Sequence, residues 1–433
     1  MRNFILGILK WKLRLLARLT VAKYKPAIVG VSGNVGKTST KDAIKTVLNA
    51  SRLTRGSEKN FNNELGLPLV VLGDWPHTEG FFFWPKVILS SLRQLVVRNR
   101  RYPEMLVLEY GVDRPNDMDY LLAIVRPGVG VMTAIGEIPV HVEFFAGKEA
   151  LAREKAKLVN VLPATGFAIL NADDEAVLAM KTQTRAHVIT FGFDELADMR
   201  ITNFEEYFAN GEGGVNFKLN YGGSFIPVKL KSVLGRSQAY ASAAAAVVGL
   251  TFGMNLVKVA EALQKYMPPA GRMRLIKGER NTAIIDDTYN ASPLATQSAL
   301  ATLKRLEAKR KIAVLGDMLE VGKYTAEAHE LVGREAAKIA EILITVGMRA
   351  KFIAEAAEKA GLNRKAIFSF DNVGEAGRAL EEKMRPGDLV LIKGSQGVRM
   401  EKIVEDVMAE PERAGELLTR QTPVWLKKTG LYD

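Results

Sequence analysis

The chain has no cysteine. Disulfide scaffolds, thiolate-held zinc or iron–sulfur centres and cysteine-nucleophile chemistry are therefore excluded. Histidine is scarce as well, with four in 433 residues, so a multi-histidine metal centre is not expected and any bound metal should be a hard cation on oxygen ligands. No uninterrupted apolar run reaches the roughly 18–20 residues of a spanning helix, and no small-residue cleavage site follows a clean apolar core, so no signal peptide is expected. No fixed-period repeat is present. What remains is an ordinary globular composition, 48% hydrophobic and 25% charged, on a chain long enough for more than one core.

The net charge is +12, concentrated in the first 25 residues and in Lys86–Arg101. Basic excess suits an anionic partner, such as a nucleotide or an acidic membrane surface. No nucleic-acid-binding motif occurs, and no such partner is expected. In residues 1–26, Lys10, Arg14 and Arg18 share one helical face, while Ile5, Ile8, Leu15, Leu16 and Leu19 lie opposite with Lys12 intruding. The pattern fits an interfacial helix on anionic lipid, and equally an amphipathic helix packed on its own domain.

From Pro26 the chain alternates short apolar strands with amphipathic helices: AIVGV, MLVLEYG, VGVMTAI, FAILNA and HVITFG read as strands of a mainly parallel, covered sheet. Residues 198–232 change style and read as a small antiparallel segment. Met267–Gly271 is a plausible hinge. Beyond it the rhythm restarts with TAIIDDTYN, KIAVLGDM, EILITVG, KAIFSF and DLVLIKG. The predicted fold class is α/β. It comprises a central phosphate-loop domain over 27–267 and a Rossmann-like C-terminal domain over 268–433.

Ser32–Thr38 (SGNVGKT) sits between a strand and a helix. Glycine there lets backbone N–H groups approach phosphate oxygens, Lys37 would meet the terminal phosphates, and Thr38 would hold Mg²⁺. Val31 occupies the place of the first glycine of the usual loop. The bland alternative is a glycine-bearing turn followed by an exposed lysine.

Here the chain resembles the Mur ligase family of ATP-dependent peptide ligases. The resemblance covers residues 27–408 and rests on ten segments in order: SGNVGKTST, NFNNELGLP, LEYGV, AREKAKLV, LNADDE, GRSQAYASAAAA, PAGRMR, IDDTYNASP, AVLGDMLEVG and LIKGSQGVRM. IDDTYNASP and VLGDMLEVG point to the branch that adds D-Ala-D-Ala to a muramoyl-tripeptide. By that resemblance a substrate carboxylate takes the γ-phosphate of ATP, and an amine then displaces phosphate from the acyl phosphate.

The resemblance also implies site residues. Gly33, Asn34, Gly36, Lys37, Thr38 and Ser39 would hold the nucleotide, with Gln238, Arg272, Asp287, Tyr289 and Asn290 closing over it. Thr38, Glu109, His141 and Lys157 would serve two Mg²⁺ ions, Lys157 as a carbamate, with Lys155 the competing candidate on another helix face. Lys37, Glu109, His141 and Lys157 form the catalytic set. Asn62, Asn63, Glu64, Lys393, Ser395 and Arg399 would contact the substrate, although buried Asp and Lys at strand ends also suit structural ion pairs.

Three departures stand out. The family's separate N-terminal domain, which holds the UDP part of the substrate, is missing ahead of the phosphate loop. Ser237, Gln238 and Ala241 replace residues that usually are His, Asn and Asn, which alters the adenine contacts. An added stretch over 73–102 carries Phe81, Phe82, Phe83 and Trp84 beside Arg93, Arg98, Arg100 and Arg101. With the basic N-terminal helix it implies either peripheral membrane contact through 1–25 and 75–102 with a lipid-linked acyl substrate, or two segments packed together in place of the lost domain. A cytoplasmic monomer is expected. The rival activities are another Mur-type synthetase, on poly-γ-glutamate or cyclising a cofactor, and a membrane-associated nucleotide-binding protein without catalysis.

Overall fold

The architecture comes from a computed structural model, which describes residues 2–57, 61–75, 80, 82–138, 142–209 and 211–432. Nine strands form the first sheet: β1 (Ala27–Ser32), β2 (Thr54–Gly56), β3 (Met105–Glu109), β4 (Val129–Met132), β5 (Phe167–Asn171), β6 (His187–Gly192), β7 (Met199–Ala209), β8 (Glu212–Tyr221) and β9 (Ser224–Lys231). Their order is β2-β3-β1-β4-β5-β6-β7-β8-β9. The pairs up to β6–β7 are parallel, and β7–β8 and β8–β9 are antiparallel. The hairpins expected over 198–232 thus extend the same sheet. β1 and β3 are almost wholly buried, as their unbroken apolar runs require of strands covered on both faces.

One face is covered by the helices Lys37–Asn49 and Arg236–Thr251. The second is rich in alanine, and its small side chains let it lie close to its neighbour: Gly249 sits where a Cβ would come within 2.9 Å of Val47. The other face carries the helix Lys148–Asn160 and residues of Asp117–Leu122.

The second sheet has six strands: β10 (Arg274–Gly278), β11 (Thr282–Asp287), β12 (Arg310–Gly316), β13 (Ile342–Val346), β14 (Ile367–Phe370) and β15 (Asp388–Lys393), ordered β10-β11-β15-β12-β13-β14. All its pairs are parallel except β10–β11. Each half has its own apolar clusters, and the seam belongs to the second: Leu234 is buried with Met273 and Ala291, with Ile138 and Phe208 packed beside them.

The N-terminal helix Arg2–Tyr24 packs on the helices Gly66–Leu72 and Phe83–Val96. Leu13, Leu16, Leu69, Leu72, Phe83 and Val87 close a small core of their own. The two added segments do pack together. The aromatic run divides between environments: Phe83 is buried against Trp84 and Trp75, Phe82 faces solvent, and Phe81 lies outside the described residues. Among the described residues no helix is long and apolar enough to cross a membrane.

Candidate active site

Register builds the first half of the site. β1 lies between β3 and β4, and Val31 pairs with Glu109, so the Glu109 carboxylate sits at the carboxyl edge beside the loop that follows β1. Parallel sheets bind ligands at this edge, where connections leave in opposite directions. Gly33 has φ +140°, and a Cβ there would come within 2.1 Å of Thr133 Oγ1, so only glycine lets the loop pass. The amides of Asn34 and Val35 bond to the Ala134 carbonyl at 2.6 and 3.2 Å. They pin the loop to the segment that follows β4 and are not turned to a phosphate. The anion site is instead the first turn of the helix Lys37–Asn49, which begins at left-handed Gly36 with no side-chain cap.

The second sheet presents the ends of β11, β12 and β15 to that loop. Between them lies a cleft of about 470 Å³, walled by Asn34, Gly36, Lys37, Thr38, Asn62 and Glu109 on one side. Arg272, Tyr289, Asn290, Ser395, Leu319 and Glu320 line the other. Arg272 Nη2 reaches Thr38 Oγ1 at 3.5 Å, and its guanidinium stacks 4.0 Å from the Tyr289 ring centre.

Polar groups here are left open. Seven buried side-chain polar atoms among the described residues have no partner, and three belong to this cleft: Asn34 Oδ1, Glu109 Oε2 and Arg272 Nε. An orphan of this kind costs about 1–3 kcal/mol, so their convergence marks a place where a ligand supplies the missing partners. Glu109 Oε1 accepts from Asn62 Nδ2 at 3.1 Å. Burial would raise its pKa, but Lys41, Lys37, the Asn62 bond and Arg272 outweigh that and hold it below the usual carboxylate range. Lys37 is pulled down from its ordinary value, first by burial and then by Arg272, against the pull of Glu109. The Thr38 hydroxyl and the ionised Glu109 carboxylate are hard oxygen donors suited to Mg²⁺.

Lys157 stands outside the cleft. Its ammonium is half-exposed and bonded to Asp119 and Glu154, both at 2.6 Å. Lys155 is the lysine that faces inward. Fully buried, it donates to the Gly33 carbonyl at 3.2 Å and to the Val112 carbonyl at 3.4 Å. Burial first, and the charge of Lys37 second, depress its pKa well below the ordinary lysine value. The signal was in the sequence: Lys155 shares a face with Leu151 and Leu158 on that helix, and a lysine on such an apolar stripe is buried.

Other expected residues are engaged elsewhere. Asn63 caps the next helix by accepting from the Leu65 and Gly66 amides, and Glu64 pairs with Lys10 of the N-terminal helix at 2.6 Å. Ser39 is buried, its carbonyl accepting from Tyr266 Oη. Gln238 is buried between Tyr266 Oη and the Arg272 carbonyl, where it bridges the two ends of the segment expected as a hinge. β11 and β15 set Asp287 opposite Lys393, and the two form a buried ion pair that also reaches the Asn290 carbonyl. His141 lies outside the described residues, and among those described no three acidic or histidine side chains are grouped to hold a metal.

Arg399 lines the cleft, but its guanidinium is engaged within the protein. It is buried, bonds Glu401 at 2.5 Å, and donates to the carbonyls of Trp425 and Lys428. Those bonds seat a C-terminal tail that no sequence pattern placed in the site, yet Trp425, Lys428 and Thr429 line the cleft. Arg420 completes the clamp. It holds both Glu401 oxygens at 2.8–2.9 Å and bonds the carbonyls of Thr288 and Tyr289. Tyr432 closes the end, donating to Asp317 at 2.7 Å.

Comparison with known proteins bears on the same residues. A model of the Mur ligase middle domain matches residues 90–249, and one of the Mur ligase glutamate ligase domain matches 271–396. The UDP-N-acetylmuramoyl-tripeptide–D-alanyl-D-alanine ligase of Mycobacterium tuberculosis is 30% identical over 408 residues, which are 88% of this chain and 73% of that protein. The chain belongs to the Mur ligase family. As a Mur ligase it is an enzyme, an ATP-dependent ligase. The Bacillus subtilis protein of the same name is 29% identical over 405 residues, covering 92% of this chain and 79% of its own. Among solved structures, the MurF ligase of Thermotoga maritima in complex with ADP matches with TM-score 0.75 and 26% identity, covering 93% of this chain and 84% of its own.

Proposed function

We propose that this Mur ligase joins D-Ala-D-Ala to the terminal carboxylate of a muramoyl-tripeptide-type substrate at the expense of ATP. The observation that carries this reading is the convergence of Lys37, Thr38 and Glu109 with Arg272, Tyr289, Asn290 and Ser395 about one cleft. The relatives named for that reaction align along nearly the whole chain. In the reaction the substrate carboxylate attacks the γ-phosphorus and ADP leaves. The amine then attacks the acyl carbon, and inorganic phosphate leaves as the amide forms. Negative charge accumulates in both steps, and fixed cations in a water-poor cleft stabilise it most. Lys37 and Arg272 supply them from opposite walls. Mg²⁺, when bound to Thr38 and Glu109, would neutralise the phosphate oxygens.

Lys155, in place of Lys157, is the lysine proposed to be carbamylated. Its ammonium would lose one proton, and the neutral amine would add to the carbon of CO₂ and lose a second, turning a buried cation beside Gly33 into a carboxylate-like pair of oxygens fit for a second hard cation. Carbon-13 bicarbonate should give a carbamate signal in the NMR spectrum of the wild-type chain and of Lys157→Ala, but none in Lys155→Ala. A signal lost only in Lys157→Ala would reverse the assignment. A lipid-linked form of the acyl substrate, and a peripheral place on the inner membrane face, also belong to this reading.

The test is ATP-dependent product formation with UDP-muramoyl-tripeptide and D-Ala-D-Ala, followed by mass spectrometry. A new amide with ADP release in equal amount supports the reading. Nucleotide bound but no amide would overturn the substrate assignment and favour a lipid-linked acyl group or another Mur-type reaction. Failure to bind or hydrolyse nucleotide under any of these conditions would count against catalysis itself.

A further inference from the structure

The N-terminal helix buries one face, through Leu13, Leu16 and Ala17, on the helices beneath it. The opposite face is apolar too. Phe4, Ile8, Trp11, Leu15 and Leu19 recur at helical spacing and stand in solvent, with Phe4 73% and Trp11 62% exposed. The helix it packs on, Phe83–Val96, repeats the arrangement: Val87 and Ser91 face in, while Leu89 and Val96 are 70% and 84% exposed. Two packed neighbours thus each offer an outer apolar stripe, an amount of exposed apolar surface that signals a binding face.

The charges beside the stripes identify what binds. Neither helix contains a single Asp or Glu. Lys12 and Arg18 flank the first stripe, Lys86 and Arg93 lie along the second, and Arg98 and Arg100 follow just beyond its end, all exposed. The cations that serve the fold are others: Lys10 pairs with Glu64, and Lys23 donates to the Gln94 and Leu95 carbonyls. A second copy of the chain would bring these two all-basic surfaces together, with like-charge repulsion opposing apolar gain. A membrane with anionic headgroups satisfies both halves: apolar side chains reach the acyl boundary while lysine and arginine meet phosphate.

We infer that the outer faces of Arg2–Tyr24 and Phe83–Val96 form one docking surface for an anionic lipid bilayer, on which the protein lies without spanning it. The surface is separate from the cleft; it gives residues to the peripheral placement proposed above, and its test does not depend on ligase activity.

Full-length protein should co-sediment with phosphatidylglycerol-rich vesicles at low salt, bind phosphatidylcholine vesicles at least about tenfold more weakly, and be released by high salt. Its tryptophan emission should shift to the blue on binding, and the shift should shrink in Trp11→Phe. The pair Trp11→Glu and Leu15→Glu should weaken vesicle binding at least about tenfold, as should Lys12→Glu with Arg18→Glu. Because all four positions are exposed or half-exposed, the unfolding midpoint and nucleotide binding should stay at wild-type values, which separates a lost surface from a lost fold. Three results would overturn the inference: no sedimentation with anionic vesicles at low salt, equal and salt-insensitive binding to both vesicle types, or concentration-dependent self-association that these substitutions abolish while vesicles bind nothing.

Discussion

Glu109 keeps one oxygen bonded to Asn62 and the other buried and open, and this asymmetry fixes how it should respond to change. Glu109→Gln retains the shape and an acceptor toward Asn62 but removes the anion from among Lys37, Lys41 and Arg272. Turnover should fall by roughly 10²–10³, the range found when one positioned electrostatic group is lost from an active site. Steady-state kinetics at saturating ATP would check it. Asp286 is the opposite case. It is buried, accepts from the Gly271 amide and the Thr288 hydroxyl, and burial raises its pKa to about 6. An acid raised from 3.8 stays protonated in the fold while the unfolded chain ionises, so its contribution favours the fold below about pH 4 and declines as pH rises to about 6. Asp286→Asn should flatten that decline, seen as the wild-type-minus-variant difference in urea midpoints across pH 4 to 6. Residue-scale legibility was uneven for a physical reason. Glu109 and Lys37 are placed by strand ends and a loop that sequence pattern reveals. Lys393, Asp287 and Arg399 are polar residues at similar places, and only three-dimensional pairing decides that they face one another or the tail.

Elements were easier to read than partners. Each apolar run taken as a strand is one, because a strand buried on both faces must be apolar throughout. The phosphate loop was equally plain, and its geometry gives a sharp expectation for Gly33→Ala. A side chain at φ +140° is strained, and its Cβ would strike Thr133 Oγ1. The loop must shift, and ATP should bind at least about tenfold more weakly by calorimetry, an expectation that an unchanged Kd would refute. The tail shows where pattern fails. Its helices, Ala414–Leu417 and Pro423–Leu426, span four residues each and have no periodicity to detect. They are held by Arg420 bonding buried Glu401 across 19 residues, and by Arg399 donating to the Trp425 and Lys428 carbonyls across 26 and 29. Arg420→Met should cost roughly 3 kcal/mol, because it strips a buried carboxylate of its main partner. It should also open Lys427 and Lys428 to trypsin and raise the KM for ATP, since Arg420 bonds the carbonyl of Tyr289, whose ring supports Arg272.

At the scale of the whole molecule the two halves own separate cores and share a thin seam. Across the cleft the direct link is Arg272 to Thr38, long at 3.5 Å, while Arg305 pairs with Glu206 at the far side. Met267–Gly271 was expected as a hinge from its proline-glycine run, and pattern did not reveal the bridge across it: Gln238 ties Tyr266 to the Arg272 carbonyl from a helix nearly thirty residues earlier. Buried polar atoms without a protein partner stand on both walls, and a nucleotide in the cleft would give partners to both halves at once. Nucleotide should therefore act as the missing glue. At a free concentration about one hundred times Kd it should stabilise the fold by about 2.7 kcal/mol. Arg272→Ala removes a side chain that reaches the phosphate-loop threonine from the other half. In that variant Mg–ADP should still bind the first half through Lys37, but with weaker affinity, so the same free concentration should raise the unfolding midpoint by well under half as much. Equal midpoint shifts in wild type and variant would mean that the nucleotide is held by the first half alone, and that the two domains meet around it without gripping it.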